Sequence, residues 1–251
     1  MSKLFALFIN TSKNKNANKH AEYDQFIFNK IIISDGKTKT SYTQLSEIGF
    51  LFNKDVRLVA FNGYFQFGYL QHLITKQGLS YDFDQCYTLC CVTDLCNLLK
   101  YPIPELSLFG AINTYKKLLP RMNNNVVLKN QDVFWFTHGG ERTYTNNSGK
   151  WIIFGNKMFL HDIWEVVVAN QEKLKYNHAR VSTISVNVWG GKPGRGVIEL
   201  FYDGSNEEIG KNIINLCKEQ LSNASTKHIV YKTDEQTRMK IKKPLMKLNV
   251  N

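Results

Sequence analysis

The feature of this sequence that most restricts its possible folds is the order of strand-like and helix-like runs in the second half of the chain. From residue 150 to residue 232, hydrophobic spacing predicts a strand, a helix, two strands, a helix and a last strand. Consecutive strands joined by a short connection pair antiparallel, because parallel neighbours need a long crossover. We therefore predict an α+β fold, with helices on one face of a curved, mainly antiparallel sheet.

Individual elements follow from the same patterns. In this half, strands are predicted at 126–128, 133–136, 150–154, 180–188, 197–202 and 228–232, and helices at 160–174 and 205–221. Ser205 or Asn206 can cap the second helix, and the carboxylates of Glu207 and Glu208 suit the positive end of its dipole. A basic tail, KIKKPLMKLNVN, follows the last strand.

The first half predicts a separate α/β domain. Its strands are predicted at 3–10, 25–34, 38–42 and 57–61, and its helices at 64–76, 87–99 and 106–118. The pair Asp35-Gly36 is a hairpin turn signal between two of these strands. The polar segment 120–125 contains a proline and has no periodicity. We therefore predict two domains, 1–122 and 126–251.

The net charge of +11, with a pI of about 9.3, favours polyanionic partners such as RNA. A second interpretation remains open. Lys outnumbers Arg 26 to 6 and Asn is abundant. An AT-rich genome would produce this bias without any nucleic-acid partner.

Cysteine usage and hydropathy indicate a cytoplasmic protein that uses no metal or other cofactor. Four of the five cysteines, Cys86, Cys90, Cys91 and Cys96, lie close together without the paired CxxC spacing of a zinc site. We expect buried thiols in a reducing compartment. No apolar run is long enough to span a membrane, and the first residues do not resemble a signal peptide. No membrane association is expected.

Four blocks in the second half carry a family resemblance: GKWIIF (149–154), ARVSTI (179–184), VIELFYDG (197–204) and YKTDEQT (231–237). In this order they resemble the putative phosphothreonine lyases, also called the basophilic-leukaemia-expressed protein family, over residues 126–240. The same half is similar in pattern to the cap-binding translation initiation factors. Both resemblances imply one curved antiparallel sheet backed by helices.

Cap-binding initiation factors hold a base between two tryptophans and its phosphates with Arg and Lys. Among the four tryptophans of this chain, Trp151 and Trp164 are expected in the core. Trp135 and Trp189 are freer to meet a ligand. Trp189 begins WGGKPGRG, a glycine-rich stretch that carries Lys192 and Arg195. One interpretation is that this stretch binds phosphate or RNA. The alternative is that it is a plain hairpin loop.

The segment DVFWFTHGGERTYTNNSGKW (132–151) resembles the phosphothreonine lyases of bacterial effectors. That resemblance implies Lys150 as the base, His138 as the acid, and Arg142 and Arg180 as phosphate ligands. The alternative is that Lys150 is a strand-edge lysine and His138 a turn residue. We expect such a positive pocket to serve binding rather than catalysis.

The leading interpretation is a non-catalytic protein that binds single-stranded RNA, mRNA or a nucleotide through a basic pocket or groove in the second domain. The residues expected to contact phosphate or RNA are Arg142, Arg180, Trp189, Lys192, Arg195, Lys232 and Arg238. A lyase-like enzyme acting on phosphorylated protein, and a scaffold that holds protein partners, are the alternatives.

The stretch LVAFNGYFQFGYLQHLI (58–74) resembles the second block of the DEDD 3′–5′ exonucleases, which have an RNase H-like fold. Those enzymes hold two metal ions with converging carboxylates. Gln66 stands where the resemblance expects an aspartate, and the first strand has no acidic residue. The resemblance therefore implies an exonuclease-like domain without nuclease chemistry, and a family-specific α/β domain is the alternative.

Overall fold

The computed structural model describes residues 3–15, 22–81, 83, 88–122, 125–129, 134–142, 144–186, 193–204 and 206–250. It divides the chain into two compact units. Unit 1 comprises residues 1–124, 131–134 and 184–193, and unit 2 comprises residues 125–130, 135–183 and 194–251. The segment 184–193 thus belongs to unit 1, although unit 2 both precedes and follows it in the sequence.

The described part of unit 1 contains five strands and three α-helices. They are β1 (Lys3–Lys13), β2 (Phe26–Ser34), β3 (Lys39–Tyr42), β4 (Val56–Ala60), α1 (Gly63–Lys76), β5 (Thr88–Cys91), α2 (Val92–Leu98) and α3 (Leu108–Leu118). Two 3-10 helices cover Leu45–Leu51 and Leu119–Met122. The sheet order is β3-β2-β1-β4-β5. The pairs β1–β2 and β2–β3 are antiparallel, whereas β1–β4 and β4–β5 are parallel.

The predicted helix over residues 87–99 is wrong in its first part. Residues 88–91 form β5, which pairs in parallel with β4, and the helix begins only at Val92. Leu89, Cys90 and Cys91 are buried there. Short apolar runs fit a buried strand or a helix equally well, so pairing with a distant strand decided the outcome.

The described part of unit 2 contains six strands and five α-helices. They are α4 (Val126–Lys129), β6 (Trp135–Gly139), β7 (Ser148–Asn156), α5 (Lys157–Ala169), α6 (Gln171–Leu174), β8 (His178–Ser182), β9 (Arg195–Asp203), α7 (Glu207–Asn223), β10 (His228–Thr233), α8 (Asp234–Arg238) and β11 (Met246–Asn249). The sheet order is β11-β10-β7-β9-β8-β6, and every neighbouring pair is antiparallel. The prediction of a mainly antiparallel sheet backed by helices is confirmed.

Four predicted elements of this half differ in the structure. The strand predicted at 180–188 is β8, which begins at His178 and ends at Ser182, because the chain passes into unit 1 at residue 184. Residues 126–129 form a helical turn instead of a strand, because the Asn125 side chain accepts hydrogen bonds from the amides of Val127 and Leu128. The predicted helix over 160–174 is two helices that meet at Asn170. The basic tail contains β11, which pairs with β10, and residues 234–238 before it form α8.

One face of this sheet packs against α5 and α7. Its core includes Trp151 and Trp164, both buried as predicted. Helix α7 comes close to the sheet at Gly210, where an added Cβ would lie 2.6 Å from two ring atoms of Trp151. Real Cβ contacts are not this short, so the helix needs glycine at this position.

Four cysteines that the structure describes, Cys90, Cys91, Cys96 and Cys217, are buried and do not form disulfides within the described residues. Cys86 lies outside the described residues. Within the described ranges, no group of three or more His, Cys, Asp or Glu side chains could hold a metal ion. The helices in those ranges are all too short or too polar to cross a membrane.

Candidate functional site: a cationic cavity in unit 2

The candidate site lies on the sheet face that points away from α5 and α7. Side chains alternate between the two faces of a strand. Trp151 and Leu200 face the helices, so Lys150 of β7 and Phe201 of β9, which are paired in the sheet, face the other side. Arg180 of β8 joins them, because its register partner on β9 is Glu199.

This face carries a cavity of about 620 Å³, here called the cationic cavity. Its lining residues are Arg142, Tyr144, Thr145, Asn146, Ser148, Lys150, Arg180, Asp234, Glu235, Thr237 and Arg238. The side chains come from β7, β8, α8 and the segment before β7. Four positive side chains from separate elements therefore meet at one cavity.

A single carboxylate, Glu199, organises two of the four cations. The Arg180 Nε and Nη2 atoms lie 2.6 and 2.5 Å from Glu199 Oε2. The Lys150 Nζ atom lies 3.3 Å from Glu199 Oε1. Because each cation takes a different oxygen, Glu199 holds both heads in fixed positions.

A second carboxylate, Asp234, organises the other side of the cavity. Asp234 Oδ1 accepts a hydrogen bond from Arg142 Nη2, and Asp234 Oδ2 accepts one from Ser148 Oγ over 2.8 Å. Asp234 is the first residue of α8, and Thr233 caps that helix through a capping box with Gln236. Residues far apart in the sequence thus place Arg142 beside Lys150.

Aromatic rings lie close to both guanidinium groups. The Arg142 guanidinium carbon lies 4.0 Å from the Phe201 ring centroid and 4.3 Å from that of Tyr144. The Arg180 guanidinium carbon lies 3.9 Å from the Trp135 ring centroid. Stacking of this kind is favourable for Arg and leaves its N–H groups in the plane of the guanidinium to bind other partners.

Burial lowers the pKa of the Lys150 ammonium from its ordinary value. The Glu199 carboxylate opposes this shift, while the charges of Arg180 and Arg142 add to it. The side chain is only 6% exposed. A ligand anion that enters the cavity would therefore meet a poorly hydrated cation, whose attraction is little weakened by water.

Three residues predicted to contact phosphate or RNA, Arg142, Arg180 and Arg238, line this cavity together with Lys150, which the lyase resemblance implies as the base. His138 does not join them. Its register partner on β8 is Ala179, and its ring packs against Trp164 on the helix-covered face. His138 Nδ1 lies 2.9 Å from the Tyr176 hydroxyl. The structure therefore separates the acid and the base that the lyase resemblance implies.

Two other predicted residues, Lys232 and Arg195, lie away from the cavity. Lys232 Nζ donates a hydrogen bond to the Ile241 carbonyl over 2.8 Å, which fixes the tail rather than lining the cavity. Arg195 is exposed at the opposite end of β9 from Phe201. At the usual rise of a strand, six residues separate these two positions by about 20 Å. Trp189 and Lys192 lie outside the described residues.

Sequence reasoning did not identify the carboxylates of the site. Glu199 and Asp234 both fall within blocks that carry the family resemblance, VIELFYDG and YKTDEQT. Alternation in β9 was a usable signal, because Glu199 lies between the buried residues Ile198 and Leu200 and must face the other side. The link between Arg142 and Asp234 spans 92 residues and leaves no local pattern.

In unit 1, Gln66 has a structural contact where the exonuclease resemblance expects a metal-binding aspartate. Its Oε1 atom accepts a hydrogen bond from the Ile9 amide over 2.6 Å, and the residue is buried. The bond ties α1 to β1. Gln66 therefore contributes to the packing of unit 1.

No protein-family model matches this chain, and no curated protein matches it. Among solved structures, the chain is similar to the complex of C. elegans eIF4E-3 with the 4E-binding protein Mextli, at 13% identity and a TM-score of 0.36. It is also similar to the complex of the same two proteins with a cap analog, at 13% identity and a TM-score of 0.37. Each match covers 53% of this chain and 80% of the other.

Proposed function

We propose that the protein binds RNA or a nucleotide in the cationic cavity of unit 2 and does so without catalysis. The observation that carries this proposal is the convergence of Arg142, Lys150, Arg180 and Arg238 on one cavity with aromatic rings beside them. Arg and Lys bind phosphate oxygens, and aromatic rings stack on bases. A nucleotide offers both groups at once.

The charge balance of the cavity indicates directed binding rather than a diffuse electrostatic attraction. Its lining residues and Glu199 together contain four cations and three carboxylates, which leaves one net positive charge. The carboxylates hold the guanidinium groups in place, and each guanidinium has more N–H donors than its carboxylate uses. The remaining donors can bind a phosphate.

Tyr144 supplies a surface for a base. Its side chain is strongly exposed at the cavity, and the Arg142 guanidinium lies against its ring. A base that stacks on Tyr144 contributes about 1–3 kcal/mol in systems of this type and needs no particular sequence. We therefore expect binding with little base preference.

The test is titration of fluorescent single-stranded RNA with the full chain at several salt concentrations. We expect Arg238→Gln to weaken binding and to reduce the slope of log affinity against log salt by about 0.7, the effect of one lost phosphate contact. Lys211→Gln is the matched control, because Lys211 is an exposed lysine of α7 that pairs only with Glu207 among the described residues. Equal affinities of the two variants, or no retention of RNA by the wild type at low salt, would exclude the cavity as the binding site.

A further inference from the structure

The three cationic heads at the floor of the cavity form one cluster around Phe201. The Arg142 and Arg180 guanidinium carbons lie 4.0 and 5.3 Å from its ring centroid, and Lys150 Nζ lies 5.4 Å from it. All three residues line the same cavity. A single ligand group with several oxygen atoms is therefore within reach of more than one head.

Each of the three cationic groups already binds one carboxylate and has further N–H donors that can bind a ligand. Arg180 uses Nε and Nη2 on Glu199, and Arg142 uses Nη2 on Asp234. The Arg142 Nε atom is buried and has no hydrogen-bond partner in the described part of the chain. Buried donors of this kind are usually satisfied, by protein or by another group.

The rings described above lie within 4.3 Å of the Arg142 and Arg180 guanidinium carbons, so we expect a ligand to approach these groups in the guanidinium plane. In-plane approach is the geometry of paired N–H···O bonds to a phosphate.

An internal phosphodiester has one negative charge and two free oxygens, whereas a terminal phosphate has nearly two charges and three free oxygens. Only the terminal group offers an oxygen for each of the three heads. Its second charge also matters here, because Glu199 and Asp234 already offset much of the positive charge. We propose that the floor of the cavity receives the terminal phosphate of an RNA or nucleotide, an inference that rests on the proposed function.

The basic segment after α8 gives the rest of such an RNA a path. Arg238 lines the cavity, and the exposed residues Lys240, Lys242 and Lys243 follow it in a stretch that has no acidic residue. Two hydrogen bonds fix this stretch to the fold: Lys232 Nζ donates to the Ile241 carbonyl, and the Leu245 amide donates to the Tyr231 carbonyl. Cations at these positions can neutralise the phosphates that follow the terminal one.

The experiment compares oligouridines of about ten nucleotides, a length within the usual range for single-strand binding sites. They carry a fluorescent label on an internal base and end in 5′-hydroxyl, 5′-phosphate or 3′-phosphate. We expect a terminal phosphate at one of the two ends to improve affinity for the full chain about tenfold, the effect of one strong charge-assisted interaction. Arg180→Gln should remove this advantage. Arg238→Gln should weaken the phosphorylated and unphosphorylated oligonucleotides alike and keep their ratio.

The outcomes separate the two proposals. Equal binding of all three oligonucleotides, with each weakened by Arg180→Gln, overturns the terminal-phosphate inference and leaves the RNA-binding proposal standing. No binding of any oligonucleotide overturns both. Tighter binding of a phosphothreonine peptide than of the phosphorylated oligonucleotides also overturns the inference, because the phosphate would then belong to a protein. Circular dichroism of the variants shows whether each is folded.

Discussion

Lys150 on β7 and Glu199 on β9 form an ion pair of 3.3 Å at the floor of the cavity, with both side chains at least nine-tenths buried. Glu199 also binds Arg180 with its second oxygen. Two cations therefore depend on one carboxylate. This dependence makes Glu199 the residue whose loss should disturb the cavity most.

We expect Glu199→Gln to lower the free energy of unfolding by about 3 kcal/mol, because it leaves the buried Lys150 charge without a counterion. The measurement is urea unfolding at neutral pH. Glu235→Gln is the matched control, since Glu235 lines the same cavity but is exposed. A change in Glu199→Gln as small as that in the control would contradict the role given to this carboxylate.

The lowered pKa of Lys150 predicts a pH dependence of stability. From the folded-state pKa up to 10.5, the ordinary value, the unfolded chain holds a proton that the folded chain has released. Stability therefore rises with pH in this window, as the cost of burying the charge disappears. The stability of the wild type relative to Lys150→Met should increase as the pH is raised from neutral to 10.5.

Lys211→Met tests the sign of this effect. Glu207 raises the pKa of Lys211 in the folded state, so its contribution should be lost, not gained, as the pH rises. Unfolding in urea at a series of pH values measures both differences. If the stability of the wild type relative to Lys150→Met stays constant or falls as the pH rises, burial does not control the charge of Lys150.

Thr233 should influence binding through α8. Its hydroxyl accepts a hydrogen bond from the Gln236 amide over 3.0 Å, and α8 carries Asp234 and Arg238 into the cavity. We expect Thr233→Val to cost about 1 kcal/mol of stability, as for other lost caps, and to weaken RNA binding. Thr233→Ser keeps the hydroxyl and should retain both the stability and the RNA affinity of the wild type. Wild-type affinity in Thr233→Val would show that the cap does not position the site.

Gly210→Ala should destabilise unit 2 by about 1–3 kcal/mol, the usual effect of overpacking. The added Cβ would collide with the buried ring of Trp151 and with Leu248. Gly140→Ala is the control, because the nearest atom to its added Cβ is the Asn177 carbonyl oxygen at 3.8 Å, an ordinary contact. Thermal melts followed by circular dichroism compare the two. Equal melting temperatures would show that α7 can move away from the sheet without cost.

Hydrophobic spacing predicted most strands and helices and the buried tryptophans, because long periodic runs depend on local sequence. It failed at residues 88–91, where burial beside β4 produced a strand. It also failed at 126–129, where the Asn125 side chain starts a helical turn. Both segments are short, so a single non-local pairing or a single side-chain hydrogen bond is enough to decide them.

The site was partly predictable for a similar reason. Positive charge and family resemblance indicated Arg142, Lys150 and Arg180, which share the cavity. The side of the sheet that each residue faces depends on strand register, and a shift by one residue reverses it. The pairing of β6 with β8 places His138 opposite Ala179 and so directs it to the core. Register between distant strands is not visible in a single sequence.

The assignment of residues 184–193 to unit 1 has a consequence for synthesis on the ribosome. Ser185 bridges Cys90 at the edge of β5, and the Val186 amide donates to the Leu89 carbonyl over 2.7 Å. A nascent chain cannot form these bonds until β6, β7 and β8, which belong to unit 2, have already been translated. Unit 1 begins first but is completed late, so the maturation of the two units overlaps in time.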